Sequence, residues 1–507
     1  MKAFTPLLCL ATTLVLLAPP LHAAAEAMPA APSAAAEPAL TLEEAIRLAL
    51  AKGHLVRISS FNVPIARAGL TEAWGRFDPR LNASYTESLN ETPLSPFASG
   101  GATRPFLAER GANSSVGLEG QTPFGTSYQL GAKAWKLRNE GSSTLVADNT
   151  TAFAGLSLTQ PLLRDAGFTS LTQVRVARTN LAISEWEFRE TLTDTVNQVI
   201  GACAQLQFAE SRLAIAQKSL ELARQLRSDN ERRRNVGAMS DYDVLSADAR
   251  VADREESALQ AARGLEHARN TLRSLISGDR AGLLSHLDLR LAELPLPAAR
   301  AIDRAADLRQ ALDKRPDYRR AQLLCRRGAD EKGLALNQLL PRVDLVGSYG
   351  YNALAKDVAG ARKDLRSREH AAWSAGLQVS IPVGSVGERG RYRAAKLRLR
   401  QSEALLEKLE QDVAIDIANA ADQLEATHRR VEAAGRARQL NQQALEAEVK
   451  KLRAGTGSTF AVLYQQDQLG YAENTEAYAR ADLLRAAADY DRATGRTLDA
   501  HNIVPTR

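Results

Sequence analysis

Two ten-residue stretches decide the fold: Val236-Gly237-Ala238-Met239-Ser240-Asp241-Tyr242-Asp243-Val244-Leu245 and Ala454-Gly455-Thr456-Gly457-Ser458-Thr459-Phe460-Ala461-Val462-Leu463. In each, a glycine sits between two long helical patterns, a serine follows three residues later, and an aliphatic pair closes the stretch. Glycine takes the left-handed conformation that ends a helix. A serine oxygen caps the first turn of the next one. Each stretch therefore reads as the tip of a helical hairpin, and the chain contains two such hairpins.

The helices on either side carry a seven-residue repeat. Leu192, Val199, Leu206, Leu213 and Leu220 mark one seam position, and Ala202, Ala209, Ala216 and Ala223 follow three residues later in each heptad. That is a coiled-coil pattern in which alanine lets helix axes approach closely. The returning helix repeats it with Ala258, Ala261, Leu265, Ala268, Leu272 and Leu275, and the second copy with Leu399, Leu406, Val413, Ile417, Ala420, Leu424 and Val431. No proline occurs from 162 to 294 or from 383 to 504. A helix from about Thr169 to Val236 would be roughly 100 Å long at 1.5 Å per residue.

The duplication extends beyond the tips. ALAKGHLVR (residues 49–57) matches ALDKRPDYR (311–319), and Asp78-Pro79-Arg80-Leu81 matches Leu340-Pro341-Arg342-Val343. Gly155 to Leu162 matches Gly376 to Val383. All blocks keep their order. The helical parts are nearly length-locked, Pro161 to Gly237 against Pro382 to Gly455. The part between the prolines is twice as long in copy one, Pro79 to Pro161 against Pro341 to Pro382.

Between those prolines the period falls to two. Leu81, Ala83, Tyr85 and Leu89 alternate with polar residues, as do Ala152, Ala154, Leu156 and Leu158. In copy two, Val343, Leu345, Gly347, Tyr349 and Tyr351, then Trp373, Ala375, Leu377, Val379 and Ile381, do the same. Such two-faced strands fit a soluble sandwich, or a barrel with lipid outside and water inside. Val116–Gly120 and Thr126–Ala134 alternate around Thr122-Pro123-Phe124-Gly125, an additional hairpin that either widens the sheet by two strands or forms a loop. Asn90 to Arg110 reads as an exposed loop.

The amino end has the order of a secretory leader: Lys2, an apolar run from Leu7 to Ala18, then small residues for cleavage. Cys9 lies inside that run and is not a lipidation site. The expected division is a leader at 1–25, an Ala/Pro-rich linker at 26–40, a first repeat at 41–278, a joining segment at 279–315, a second repeat at 316–495 and a tail at 496–507. Thr41 is the expected cap of the first repeat's opening helix, with Glu44 behind it. No apolar run after the leader is long enough for a membrane helix, so a membrane contact would use a barrel or the surface. Cys203 and Cys325 read as two small buried side chains, not a disulfide framework.

The hairpins cannot bury their seams alone, and so few strands cannot close a barrel alone. One cyclic oligomer meets both shortages. The fold class is mainly α with a membrane β-barrel portion, the duplicated hairpins and strands completing an α-barrel/β-barrel tube. From Thr41 to about Gly495 the chain resembles the TolC-like outer-membrane efflux proteins. The duplication, Gln160-Pro161-Leu162-Leu163-Arg164 ahead of the long helix, and the paired tips carry that resemblance. It implies a homotrimer in outer-membrane lipid, its tunnel reaching into the periplasm. It also implies a passive exit duct of a tripartite efflux or type I secretion system, whose tips dock a periplasmic adaptor coupled to an inner-membrane pump or transporter. By resemblance the docking positions are Val236, Gly237, Val244, Leu245, Ala454, Gly455, Val462 and Leu463. The family's acidic residues on the second tip are replaced by Ala461 and Tyr464. Asp241 and Asp243 remain for a possible entrance ring, or as carboxylates favoured by a helix dipole.

Other signals point to no chemistry. The seven histidines are scattered without metal-ligand spacing, so no metal, cofactor or catalytic residue is expected. A net charge of +6 on 507 residues does not argue for nucleic acid. Arg232-Arg233-Arg234 and Lys450-Lys451-Arg453 read as an adaptor collar or, preferably, as cations at helix C-termini. Arg389 to Arg400 reads as a headgroup contact or a solvated helix face. A periplasmic coiled-coil adaptor or scaffold without a membrane barrel is the alternative, which the full duplication opposes.

Overall fold

The computed structural model describes residues 40–93, 106–140, 149–237, 239–278, 290–454 and 456–504. The expected leader, nearly all of the linker, residues 279–289 of the joining segment and Gly455 lie outside the described residues.

Three short helices open the described chain: α1 Leu42–Lys52, α2 His54–Ser60 and α3 Asn62–Gly75. Thr41 caps α1 through a reciprocal box with Glu44. Strands β1 Arg80–Pro93, β2 Phe106–Gln121, β3 Ser127–Glu140 and β4 Asn149–Pro161 follow. The hairpin α4 Thr172–Asn235 and α5 Asp241–Ile276 completes the first half. The second half supplies α6 Arg304–Lys314, α7 Pro316–Asn337, β5 Arg342–Ala355, α8 Val358–Ser367, β6 Ala371–Ser380, then the hairpin α9 Val386–Arg453 and α10 Thr459–Ala493, with a last turn α11 at Thr497–Ala500.

The descending helices α4 and α9 hold 64 and 68 residues, the returning α5 and α10 only 36 and 35. Above the returning helices, α3 packs on α4, and α7 packs on both α4 and α9. The heptad seam is the core. Leu192, Val199, Leu206, Ala202, Ala209 and Ala223 are buried, while Leu213, Ala216 and Leu220 are half-buried. Around residue 200, Ala45, Ile46 and Ala49 of α1 meet Val196, Val199 and Cys203 of α4, Leu265 and Leu272 of α5, and Leu484 of α10. Four elements converge there. Cys203 is fully buried and its thiol is pushed up to about 12 by burial, whereas Cys325 is half-buried; both are free.

A polar clamp fixes the end of the second hairpin. The buried Asp307 accepts hydrogen bonds from Tyr490 and from Arg496 (2.5 Å). Burial, together with the Asp307 carboxylate, raises the Tyr490 phenol to about 12. Arg315 meanwhile binds Asp317 at 2.7 Å and Asp416 at 3.2 Å, tying the start of α7 to α9.

The six strands form one antiparallel sheet in chain order, β1 to β6. The additional hairpin of copy one is part of it. Leu118 pairs with Leu130 across β2 and β3, and β3 pairs with β4 along its length. Its turn at 122–126 docks under the helical domain, where the Ser170 hydroxyl donates to the Pro123 carbonyl and the Phe124 and Phe168 rings lie 5.4 Å apart. The expected loop at 90–110 is shorter than its composition suggests. Asn90–Pro93 and Phe106–Arg110 continue the β1–β2 ladder, and residues 94–105 lie outside the described residues.

The register separates the two faces. Leu81, Tyr85, Val116, Leu130, Leu156, Tyr349, Trp373 and Leu377 share one face and are exposed, Leu81 at 74% and Trp373 at 75%. The other carries Asn82, Ser84, Ser115, Gln129, Ser157, Ser348 and Ser374, with Ser84–Ser115 and Ser348–Ser374 hydroxyl pairs at 2.8 Å. Glycines mark which face is concave. Gly117, Gly131, Gly155 and Gly350 are paired in one row across four strands on the polar face. A Cβ on Gly131 would lie 2.7 Å from the Gly117 Cα, and one on Gly155 2.8 Å from the Gly350 Cα. On the apolar face, a Cβ on Gly347 meets its nearest atom at 3.9 Å. The sheet thus bends hard toward its polar side, a curvature that glycine rows permit.

This geometry gives a direct test. Gly131→Val should prevent formation of the curved sheet, read as loss of the heat-resistant oligomer band after detergent extraction. Gly347→Val, on the open convex face, should leave that band intact.

Candidate functional site at the hairpin tips

At the first tip α4 ends at Asn235, and Gly237 turns the chain with φ +76°. Ser240 then caps α5. Its hydroxyl accepts from the Asp243 amide at 3.3 Å, while the Asp243 carboxylate accepts from the Ser240 amide at 3.1 Å and hydroxyl at 2.6 Å. These hydrogen bonds hold the Asp243 carboxyl below the usual carboxylate range. The buried Asn230 donates to the Asp243 carbonyl at 3.3 Å, fastening α4 to the start of α5. At the second tip, the amides of Thr456 and Gly457 both donate to the Lys451 carbonyl at 3.1 Å, and the Ser458 hydroxyl accepts from the Ala461 amide at 3.2 Å.

The expected docking positions divide by exposure. Val236, Leu245 and Ala454 are exposed, and Leu463 is half-buried. Val244 and Val462 point inward and hold each hairpin together. The exposed surface includes aromatic residues that the sequence reading did not nominate. Tyr242 and Phe460 are 77% and 76% exposed, and each stands two residues after its cap serine. Superposing the two tip sequences brings this matched pair out. Tyr464 is exposed beside Phe460.

The carboxylates also divide. Asp243 is committed to the cap, whereas the Asp241 side chain is 94% exposed, its nearest cation being Arg234 at 3.7 Å. Arg232 and Lys451 pair with Asp229 and Glu448 on their own helices. Farther up, Asp467 of α10 binds Arg250 of α5 at 2.9 Å and also Arg254. Lys218 of α4 binds Glu473 at 3.2 Å. These pairs join the two hairpins. Among the described residues no group of three or more His, Cys, Asp and Glu is placed to hold a metal ion, and no helix is long and apolar enough to cross a membrane.

The two hairpins, with the strands from most of β2 onward, match one family model, the outer membrane efflux protein, over residues 109–278 and 308–496. The chain belongs to the outer membrane efflux protein family. A relative from Bordetella pertussis, protein CyaE, is 27% identical over 344 residues, which is 66% of this chain and 70% of that one. Solved structures share the fold. The outer-membrane channel OprN matches with a TM-score of 0.67 at 22% identity, over 90% of this chain and 89% of that one. Campylobacter jejuni CmeC gives 0.68 at 15%, over 90% and 86%. Vibrio cholerae VceC gives 0.64 at 17%, over 90% and 96%. The family match makes this chain an outer-membrane efflux protein. That sets aside an adaptor or scaffold without a membrane barrel.

The cap at the first tip is open to test. Asp243 has a lowered folded-state pKa, so its contribution is present above the unfolded carboxylate pKa and is lost as pH falls through the folded value. Ser240→Ala should speed amide exchange in the first turn of α5 roughly fivefold at neutral pH. Lowering the pH through the Asp243 titration should narrow the difference between wild type and variant.

Proposed function

We propose that this channel is a homotrimer working as a passive exit duct. Its tips dock a periplasmic adaptor, which couples it to an inner-membrane pump or transporter, and it performs no chemistry of its own. Two tandem repeats, 41–278 and 316–495, supply the parts, with the leader at 1–25 removed on export. The observation that carries the reading is the open sheet. It has unpaired edges at β1 and β6, an exposed apolar convex face and a polar concave face. An edge at membrane depth must be paired, so the strands close with those of other copies. Six strands per chain give eighteen in a trimer, a size at which a barrel keeps an aqueous lumen.

Exposed apolar residues on the helices agree with further copies in the wall. Leu397, Leu405, Ile415 and Leu440 of α9 and Leu259 of α5 lie on surfaces that their own chain leaves uncovered. At the tips the docking surface is Val236, Tyr242 and Leu245 of the first hairpin with Ala454, Phe460 and Tyr464 of the second. Val244, Val462, Leu463 and Gly237 shape it from below. The entrance ring is carried by Asp241, whose side chain is 94% exposed, while the Asp243 carboxylate is turned back onto the Ser240 cap.

Photo-crosslinkers placed at 242 or 460 in intact cells should trap a membrane-anchored periplasmic protein. Leu245→Asp with Phe460→Asp should abolish that adduct while leaving the heat-resistant trimer. Adducts with other copies of this chain alone would contradict docking at the tips. In planar bilayers, Asp241→Asn should lower the cation-over-anion permeability ratio more than Asp243→Asn does. No change with Asp241→Asn would remove the ring.

A further inference from the structure

The connection between β5 and β6 folds back as helix α8, and its position is unusual. Ala134, Ala152 and Ala353 are directly paired across β3, β4 and β5 on the convex apolar face. The three small side chains leave a shallow seat. Ala361 and Leu365 of α8 fill it, with Ala152, Ala353 and Ala361 all buried. The seat lies at the sheet end remote from the hairpins, since Ala353 stands two residues from the end of β5 and Ala152 near the start of β4. Asp357 caps the helix by accepting from the Gly360 amide at 2.7 Å, and Asp364 accepts from the Leu354 amide at 3.0 Å. Both carboxylates thus serve backbone groups that anchor the helix.

The surface left outward is cationic. Arg362, Lys363 and Arg366 are exposed and make no ion pair among the described residues, and Lys356 and Arg368 flank them. Neighbouring strands carry charge of both signs on the same face, Glu87 and Glu91 on β1 and Lys136 on β3. Arg110 stands directly opposite Arg138 across β2 and β3, with Lys136 two residues below. Just toward the hairpins on this face lie Tyr349, Tyr351 and Trp373, the two tyrosine hydroxyls 3.2 Å apart. Aromatic residues of this kind sit at the level of lipid headgroups. From Tyr349 to Ala353 is about 13 Å along an extended strand, which puts the cations of α8 at or above the headgroup level.

We propose that α8 forms a docking surface for the phosphate groups of an outer-leaflet lipid. The occupant is a lipid because the surface lies on the convex face, continuous with the apolar belt that meets the acyl chains. Its headgroup bears phosphate because the outward groups are guanidinium and ammonium, which pair with phosphate oxygens. The inference rests on the outer-membrane reading, in which the strand ends remote from the hairpins face outward.

The test uses the full detergent-extracted oligomer and native mass spectrometry, with added diphosphoryl lipid A, its monophosphoryl form, or phosphatidylcholine. Wild type should retain diphosphoryl lipid A best and phosphatidylcholine least. R362Q/K363Q/R366Q should lower retention of the diphosphoryl form roughly tenfold or more. The charge-conserving R362K/R366K should keep most of it, and R389Q/R393Q, at the opposite end of the sheet, should change nothing. Equal retention by wild type and the triple variant, or retention indifferent to phosphate number, overturns the proposal while leaving the channel reading in place. A protein released from membranes by aqueous buffer would overturn both.

Discussion

The structure depends on a sheet that one chain cannot finish. Its convex face exposes Leu81, Tyr85, Leu130, Leu377 and Trp373, and its first and last strands have free backbone edges among the described residues. In water such a surface aggregates; in a bilayer an open edge leaves amides and carbonyls without partners. In the proposed oligomer, closure with other copies in lipid resolves both demands. The glycine row from Gly117 to Gly350 sets the direction of closure, because the sheet bends toward the side where a Cβ would strike the next strand. The polar residues consequently line the inside.

The helices carry the same logic away from the membrane. Alanine at one seam position lets α4 and α5, and α9 and α10, pack closely into straight pairs. The shorter returning helices leave room higher up, which α3 and α7 occupy. Ion pairs from Asp467 to Arg250 and Arg254, and from Lys218 to Glu473, join the hairpins. A tip presenting Tyr242 and Phe460 on short, well-capped turns is a rigid contact surface, which suits docking to a partner.

Much of this was legible because it is periodic. Leu192 to Leu220 and Ala202 to Ala223 announced the seam, and the two cap serines announced the tips. Alternation also located the additional hairpin, but only pairing decided that Leu118 and Leu130 stand in the sheet. At the rim the signal fades. Asn90, Glu91, Glu109 and Arg110 are polar on both faces, so composition suggested a loop where the ladder continues. The seat of α8 was invisible for another reason. Ala134, Ala152 and Ala353 are far apart in sequence, and only the register makes them neighbours. The role of Asp243 likewise depended on geometry, since a cap carboxylate and a free one look alike in a sequence.

The most direct measurement is a cryo-EM reconstruction of the detergent-extracted protein, resolving individual strands. The account predicts a three-fold particle with eighteen strands in one closed wall, β1 of each copy paired to β6 of the next, and the turns at Gly237 at the far end of a helical tube. A wall that leaves β2 and β3 outside the barrel, or a particle with unclosed sheets, would contradict it.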